Sequence, residues 1–99
     1  MLRHIVTWSY KERFSEAENK ENAIKIKREL EALFHRIDGI IEMRVYINEL
    51  SSSNQDLILN SLFESAEALA DYQSHPEHKT ISAFVSSTMQ NRACIDYYE

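Results

Sequence analysis

Cysteine, glycine and proline are each present once in the 99 residues, as Cys94, Gly39 and Pro76. A lone cysteine excludes an intrachain disulfide and a cysteine-based zinc framework. A lone glycine leaves no glycine-rich loop to cradle a phosphate. So little glycine and proline also argues against a loop-rich or disordered chain. No stretch approaches the roughly 20 apolar residues of a membrane-spanning helix. The N-terminal "MLRHIVTWSYKERF" lacks the long apolar segment of a signal peptide. The expectation is a cytoplasmic protein with no membrane partner. Positive charge is also scarce: 11 Lys and Arg stand against 16 Asp and Glu, a net charge of −5. Lys25, Lys27 and Arg28 interleave with Glu21, Glu29 and Glu31, the pattern of a solvated helix face with i,i+4 pairs. Nucleic acid is therefore not an expected partner, since it demands concentrated positive charge.

What remains is an ordinary globular composition, 43% hydrophobic and 27% charged, in one domain spanning residues 1–99. Residues 2–10 alternate, with Leu2, His4, Val6, Trp8 and Tyr10 on one face and Arg3, Ile5, Thr7 and Ser9 on the other, as a strand does. Ser15 and Glu18 stand at capping-box spacing. Ala23, Ile26, Leu30, Leu33, Phe34 and Ile37 then recur at helical spacing, predicting a helix over about residues 16–36 that Gly39 stops. Residues 40–49 form a second strand, with Ile41, Met43, Val45 and Ile47 on one face. "SSSN" at 51–54 lies in a short loop, and residues 56–63 form a third strand. Ser65 caps a short helix, Ile81, Phe84, Val85 and Met89 make another helical stripe, and residues 92–98 form a last strand. The order β-α-β-β-α-β is that of a ferredoxin-like α+β fold: a four-stranded antiparallel sheet with its helices on one face.

Helices can cover only one face, yet the strands are apolar on both. Ile5, Ile58 and Leu62 lie on one; Val6, Trp8, Leu57, Leu59 and Phe63 lie on the other. We expect the second set to be free in a monomer and to pack against a second copy, with a ligand cavity between the two sheets. Trp8 and Tyr10 then read first as interface packing and only second as a binding platform. Cys94, on the last strand, reads as a small apolar filler, and His35 as an exposed histidine near a helix C-terminus.

The segment "DYQSHPEHKTI", 71–81, holds two of the four histidines and the only proline. Pro76 suits the first position of a helix, with His75 or Ser74 as the cap. "SHP" therefore ends one helix and begins another at an angle. A metal reading of His75 and His78 finds no supporting ligand set, and no metal site is expected. His78 shares a helical face with Ile81, Ser82 and Val85. It reads either as a general base beside the Tyr72 phenol, suited to proton abstraction alpha to a carbonyl, or as a histidine that bonds a buried tyrosine and fixes the bend.

"RHIV" at 3–6, "DLILNSLFES" at 56–65, "ALADYQSHPEH" at 68–78 and "IDYY" at 95–98 resemble the stress-responsive A/B barrel (Dabb) family over nearly the whole chain. The resemblance implies a homodimeric α+β barrel, two ferredoxin-like halves joined sheet to sheet. It implies a small organic molecule in the barrel cavity, and no cofactor is expected, since no histidine stands in the position a haem-degrading relative would use. Most such proteins have no assigned activity, and many are linked to stress responses. One plant relative is a polyketide cyclase with a His/Tyr acid–base pair, and the wider superfamily includes cofactor-free and haem-degrading monooxygenases. Carried over by position, the pair corresponds to His78 and Tyr72. The pocket histidine corresponds to His4 and the pocket wall to Val6, Trp8 and Leu59. Met89 stands where the cyclase has a bulky aromatic wall residue. The cyclase's first-helix aromatics have no counterpart among Ala23, Ile24, Lys25, Ile26 and Lys27. The leading expectation is a small-molecule-binding dimer. The alternatives are a cofactor-independent cyclase or isomerase, then a monooxygenase.

Overall fold

A computed structural model describes all 99 residues. The elements follow one another as β1 (Leu2–Tyr10), α1 (Glu16–Ala32), β2 (Ile40–Ile47), β3 (Leu57–Phe63), α2 (Ala66–Ser74), α3 (Pro76–Thr88) and β4 (Met89–Tyr98). The strands form one antiparallel sheet in the order β2-β3-β1-β4. This is the ferredoxin-like architecture that the element order predicts, with the second helical segment broken in two.

Local chemistry accounts for the boundaries. The Ser15 hydroxyl accepts from the Glu18 N–H at 3.1 Å, and the Glu18 carboxylate accepts from the Ser15 N–H at 2.9 Å, closing the capping box at the start of α1. The α-helix ends sooner than the apolar periodicity predicts. Leu33–His35 tighten into a 3₁₀ turn that tucks Leu33 and Ile37 into the core. Gly39 follows at φ +91°, and a β-carbon there would lie 2.8 Å from Cβ of Ala68. Glycine is thus required twice at this position, by its dihedral and by the close approach of α2. Ser65 caps α2 through the Ala68 N–H at 3.1 Å.

β2 is an edge strand, and α1 closes part of that edge. Lys27 donates to the Val45 carbonyl at 2.6 Å, while Glu31 accepts from the Val45 N–H at 2.9 Å and pairs with Lys27 at 2.9 Å. The i,i+4 pair expected on a solvated face therefore also satisfies a strand edge open to stray pairing. Burial pushes the Glu31 carboxyl up, but these two donors more than offset it and hold the group below the usual carboxylate range.

The core lies between the sheet and the helices. It joins Leu2, Val6, Trp8, Val45, Leu57, Leu59 and Phe63 from the strands to Ala23, Ile26, Leu30, Leu69, Tyr72, Ile81 and Val85 from the helices. Each large side chain so buried contributes roughly 1.5–3 kcal/mol. This reverses the face assignment made from the sequence. Val6, Trp8, Leu57 and Leu59 are under the helices of their own chain, not free for a partner. The uncovered face carries Ile5, Ile58 and Leu62, joined by Tyr46, Ile95 and Tyr97, with the Arg3–Glu42–Glu99 ion pairs at one end. The physical reason is the polar content of the two faces. Arg3, Thr7 and Asn60 alternate with Ile5, Ile58 and Leu62, so the more uniformly apolar face is the one that goes beneath the helices.

β4 also departs from expectation. It begins at Met89, directly after α3, without a loop. Met89 thus opens a strand instead of closing a helical stripe. Asn91, at φ 55°, takes up an irregularity in the pairing with β1 near Thr7–Ser9. Cys94 is exposed on this strand and is not an apolar filler.

Candidate functional site

The site is built on the break between α2 and α3. His75 supplies the cap for α3, its Nδ1 accepting from the Glu77 N–H at 3.1 Å, with Pro76 at the first helical position. The two helices therefore meet at an angle, which places Tyr72 from the end of α2 against His78 from the first turn of α3. Their ring centroids are 4.3 Å apart. The Phe63 ring of β3 is tilted against Tyr72, 4.9 Å between centroids.

A cavity of about 80 Å³ opens beside this pair, within one chain, between the sheet and the helices. That corrects the expected position between two sheets. The cavity brings together His4, Val6 and Trp8 of β1, Leu59 of β3, Tyr72 and His78. Met89 is buried in the core and does not line it. The sequence reading misses Leu30, Gln73, Ser86 and Arg92 as lining residues, and it names Ser82 and Val85 only as sharing a helical face with His78. A larger hollow of about 440 Å³ between Tyr10, Glu16 and Glu49 contains no histidine or cysteine.

Protonation follows from the partners. The Gln73 carbonyl, which can only accept, lies 3.2 Å from His78 Nδ1. The proton therefore sits on Nδ1, and Nε2 of the neutral ring keeps its lone pair. Burial lowers the His78 pKa below its ordinary value, so the imidazole is neutral at pH 7. Burial raises the Tyr72 phenol, which stays protonated. The Tyr72 hydroxyl is buried and has no hydrogen-bond partner within the protein. An unpaired donor of this kind costs about 1–3 kcal/mol, and Tyr72 is among the residues that line the cavity.

His4 is buried and fixed from two sides. Its Nδ1 donates to the Asp96 carboxylate, and its backbone carbonyl accepts from the Ser61 hydroxyl at 2.7 Å. Cys94 Sγ lies 3.7 Å from His4 Nδ1 and 3.6 Å from Asp96 Oδ1. Partial desolvation of the thiol and the Asp96 charge raise Cys94 above its ordinary value. His4, Cys94 and Asp96 are the set whose donor atoms, all within 4.8 Å, could gather round a metal ion, although one would have to displace the His4–Asp96 hydrogen bond. The His75 and His78 Nδ1 atoms are occupied by separate backbone partners.

A neutral imidazole with a bare nitrogen beside a protonated phenol sets one proton acceptor next to one proton donor, on two residues that line the same small space. No Asp or Glu lines that space, and its one permanent charge is that of Arg92.

The family described as the stress responsive A/B barrel domain matches residues 2–99. No curated protein matches the chain. Among solved structures, a dimeric ferredoxin-like protein of unknown function from Bacteroides fragilis is 26% identical, with TM-score 0.93 over 99% of this chain and 95% of its own. A Dabb family protein from Mesorhizobium loti is 22% identical, with TM-score 0.72 over 99% of this chain and 95% of its own. A hydroxynitrile lyase from Passiflora edulis is 15% identical, with TM-score 0.80 over 97% of this chain and 90% of its own.

Proposed function

The chain belongs to the stress-responsive A/B barrel domain family, and from that premise we propose that it works as a homodimer that holds a small organic molecule in the cavity of each subunit. The observation that carries the ligand reading is the Tyr72 hydroxyl, buried without a partner on a residue that lines the cavity. Natural folds leave few such donors unpaired, and a ligand oxygen would satisfy this one. The dimer reading is supported by the uncovered sheet face bearing Ile5, Ile58, Ile95 and Tyr97, and by the dimeric relative from Bacteroides fragilis. A fragment screen by ligand-observed NMR tests the first reading. Small carbonyl compounds should bind the wild type and bind Tyr72→Phe more weakly; a blank screen would defeat it.

A second reading is favoured by the tautomer of His78. Because Gln73 holds the proton on Nδ1, Nε2 is available as a general base, and the Tyr72 phenol is available as the acid. This pair would abstract a proton alpha to a carbonyl and protonate or stabilise the resulting enolate, without a cofactor. His4, oriented by Asp96, would bind beside it. Deuterium exchange at an enolisable carbon, present in wild type and absent in His78→Ala, would support this reading. Equal exchange in both would end it.

A further inference from the structure

The charge distribution points to a particular ligand class, and the inference rests on the small-molecule reading above. Acidic residues outnumber basic ones 16 to 11 in this chain, yet none of the acids lines the cavity. Arg92 does line it, from the helix-facing side of β4. Arg92 is in no ion pair, and neither are Arg13, Arg28 and Arg44, but of these four only Arg92 lines the cavity. An unpaired guanidinium at the rim of a cavity without carboxylates favours an anion with two oxygens, which its planar fork binds bidentately. The buried Tyr72 hydroxyl asks for a second acceptor on the same ligand. Size limits the rest: about 80 Å³ is well below the roughly 300–1,000 Å³ of sites for drug-sized molecules.

We infer that the cavity takes a small organic carboxylate carrying a carbonyl oxygen, its carboxylate on Arg92 and its carbonyl oxygen on the Tyr72 hydroxyl. A 2-oxo acid of a few heavy atoms has this composition. His78, with Nε2 unprotonated, then faces a ligand whose adjacent carbon is enolisable.

The test uses the whole ¹⁵N-labelled chain, titrated at pH 7 with pyruvate, with its neutral isostere pyruvamide and with inorganic phosphate. Backbone and Arg92 Nε–H shifts are followed. Pyruvate should bind at least about tenfold more tightly than pyruvamide, the scale of one charge-assisted contact. Arg92→Gln should abolish that preference, weakening pyruvate binding by at least about tenfold more than pyruvamide binding. Arg92 is exposed, so the variant should keep the wild-type spectrum. Equal binding of the two isosteres, a preference that survives Arg92→Gln, or phosphate shifting the same resonances at the same concentrations would each overturn the inference. Binding of neither isostere would overturn it too, and the small-molecule reading falls only if the fragment screen is also blank.

Discussion

Tyr72 and His78 lie ring against ring, centroids 4.3 Å apart, across the helix break made by His75 and Pro76. One ring is a buried phenol with no partner, and the other is a neutral imidazole whose proton is committed to Gln73. The break creates this relationship. In a continuous helix, positions six apart would point in different directions, whereas the extended backbone of His75 before Pro76 sets the second helix at an angle to the first.

The first prediction concerns the protonation of His78. Its folded pKa is lowered by burial, so between that value and the ordinary 6.5 the unfolded chain binds more protons. The associated stability is fully present above pH 6.5 and is lost as pH falls through the folded pKa. Long-range ¹H–¹⁵N spectra at pH 7 should show the Nδ1–H tautomer. A doubly protonated ring at pH 7, or the Nε2–H tautomer, would count against the assignment.

The second prediction separates stability from binding at Tyr72. The hydroxyl has no partner in the free protein, so deleting it removes a buried unsatisfied donor. Tyr72→Phe should therefore melt at or above the wild-type temperature, while its affinity for a carbonyl ligand falls by about 0.5–1.5 kcal/mol. A loss of more than about 1 kcal/mol in stability would mean that the phenol is already paired in the folded protein.

What the sequence shows of this architecture depends on range. Ser15 with Glu18, Ser65, and His75 with Pro76 declare helix ends because their hydrogen bonds span two or three residues. Alternation in β1 likewise sorts His4 and Trp8 from Ile5 and Thr7. It cannot say which set the helices cover, because that depends on the pooled polarity of all four strands. The start of β4 is hidden for a related reason. Met89 extends the stripe of Ile81 and Val85 in phase, and the turn out of the helix rests on Asn91 and its distant partners Ser9 and Gln55. Arg92 carries no local sign of a cavity at all. Its role as a lining residue arises only when β4 pairs with β1 beneath α2 and α3. Cys94 and Asp96 meet His4 for the same reason, across an interval of about ninety positions.

The third prediction tests the turn before β2. Gly39 sits at φ +91°, and an alanine methyl there would lie 2.8 Å from Cβ of Ala68, so Gly39→Ala meets both backbone strain and a clash. It should cost about 1–3 kcal/mol by chemical denaturation. Ala68→Gly in the same chain should recover the clash but not the dihedral strain, so the double variant should remain less stable than Ala68→Gly alone. If the double variant equals Ala68→Gly, the left-handed dihedral is not required.

The fourth prediction concerns assembly through the sheet. Ile95 is 63% exposed on the uncovered face, so Ile95→Asp should leave the folded subunit intact. In a twofold dimer each substitution acts twice. Losing roughly 1.5–3 kcal/mol per isoleucine should weaken association by about a hundredfold or more. Sedimentation at micromolar concentration should give twice the chain mass for the wild type and a shift toward the monomer for Ile95→Asp, with unchanged far-ultraviolet circular dichroism. Trp8→Ala should behave in the opposite way. Trp8 is 7% exposed within its own chain, so its truncation should cost about 3–5 kcal/mol of subunit stability. A wild type that sediments as a monomer, or an Ile95→Asp variant as dimeric as the wild type, would remove this face as the interface.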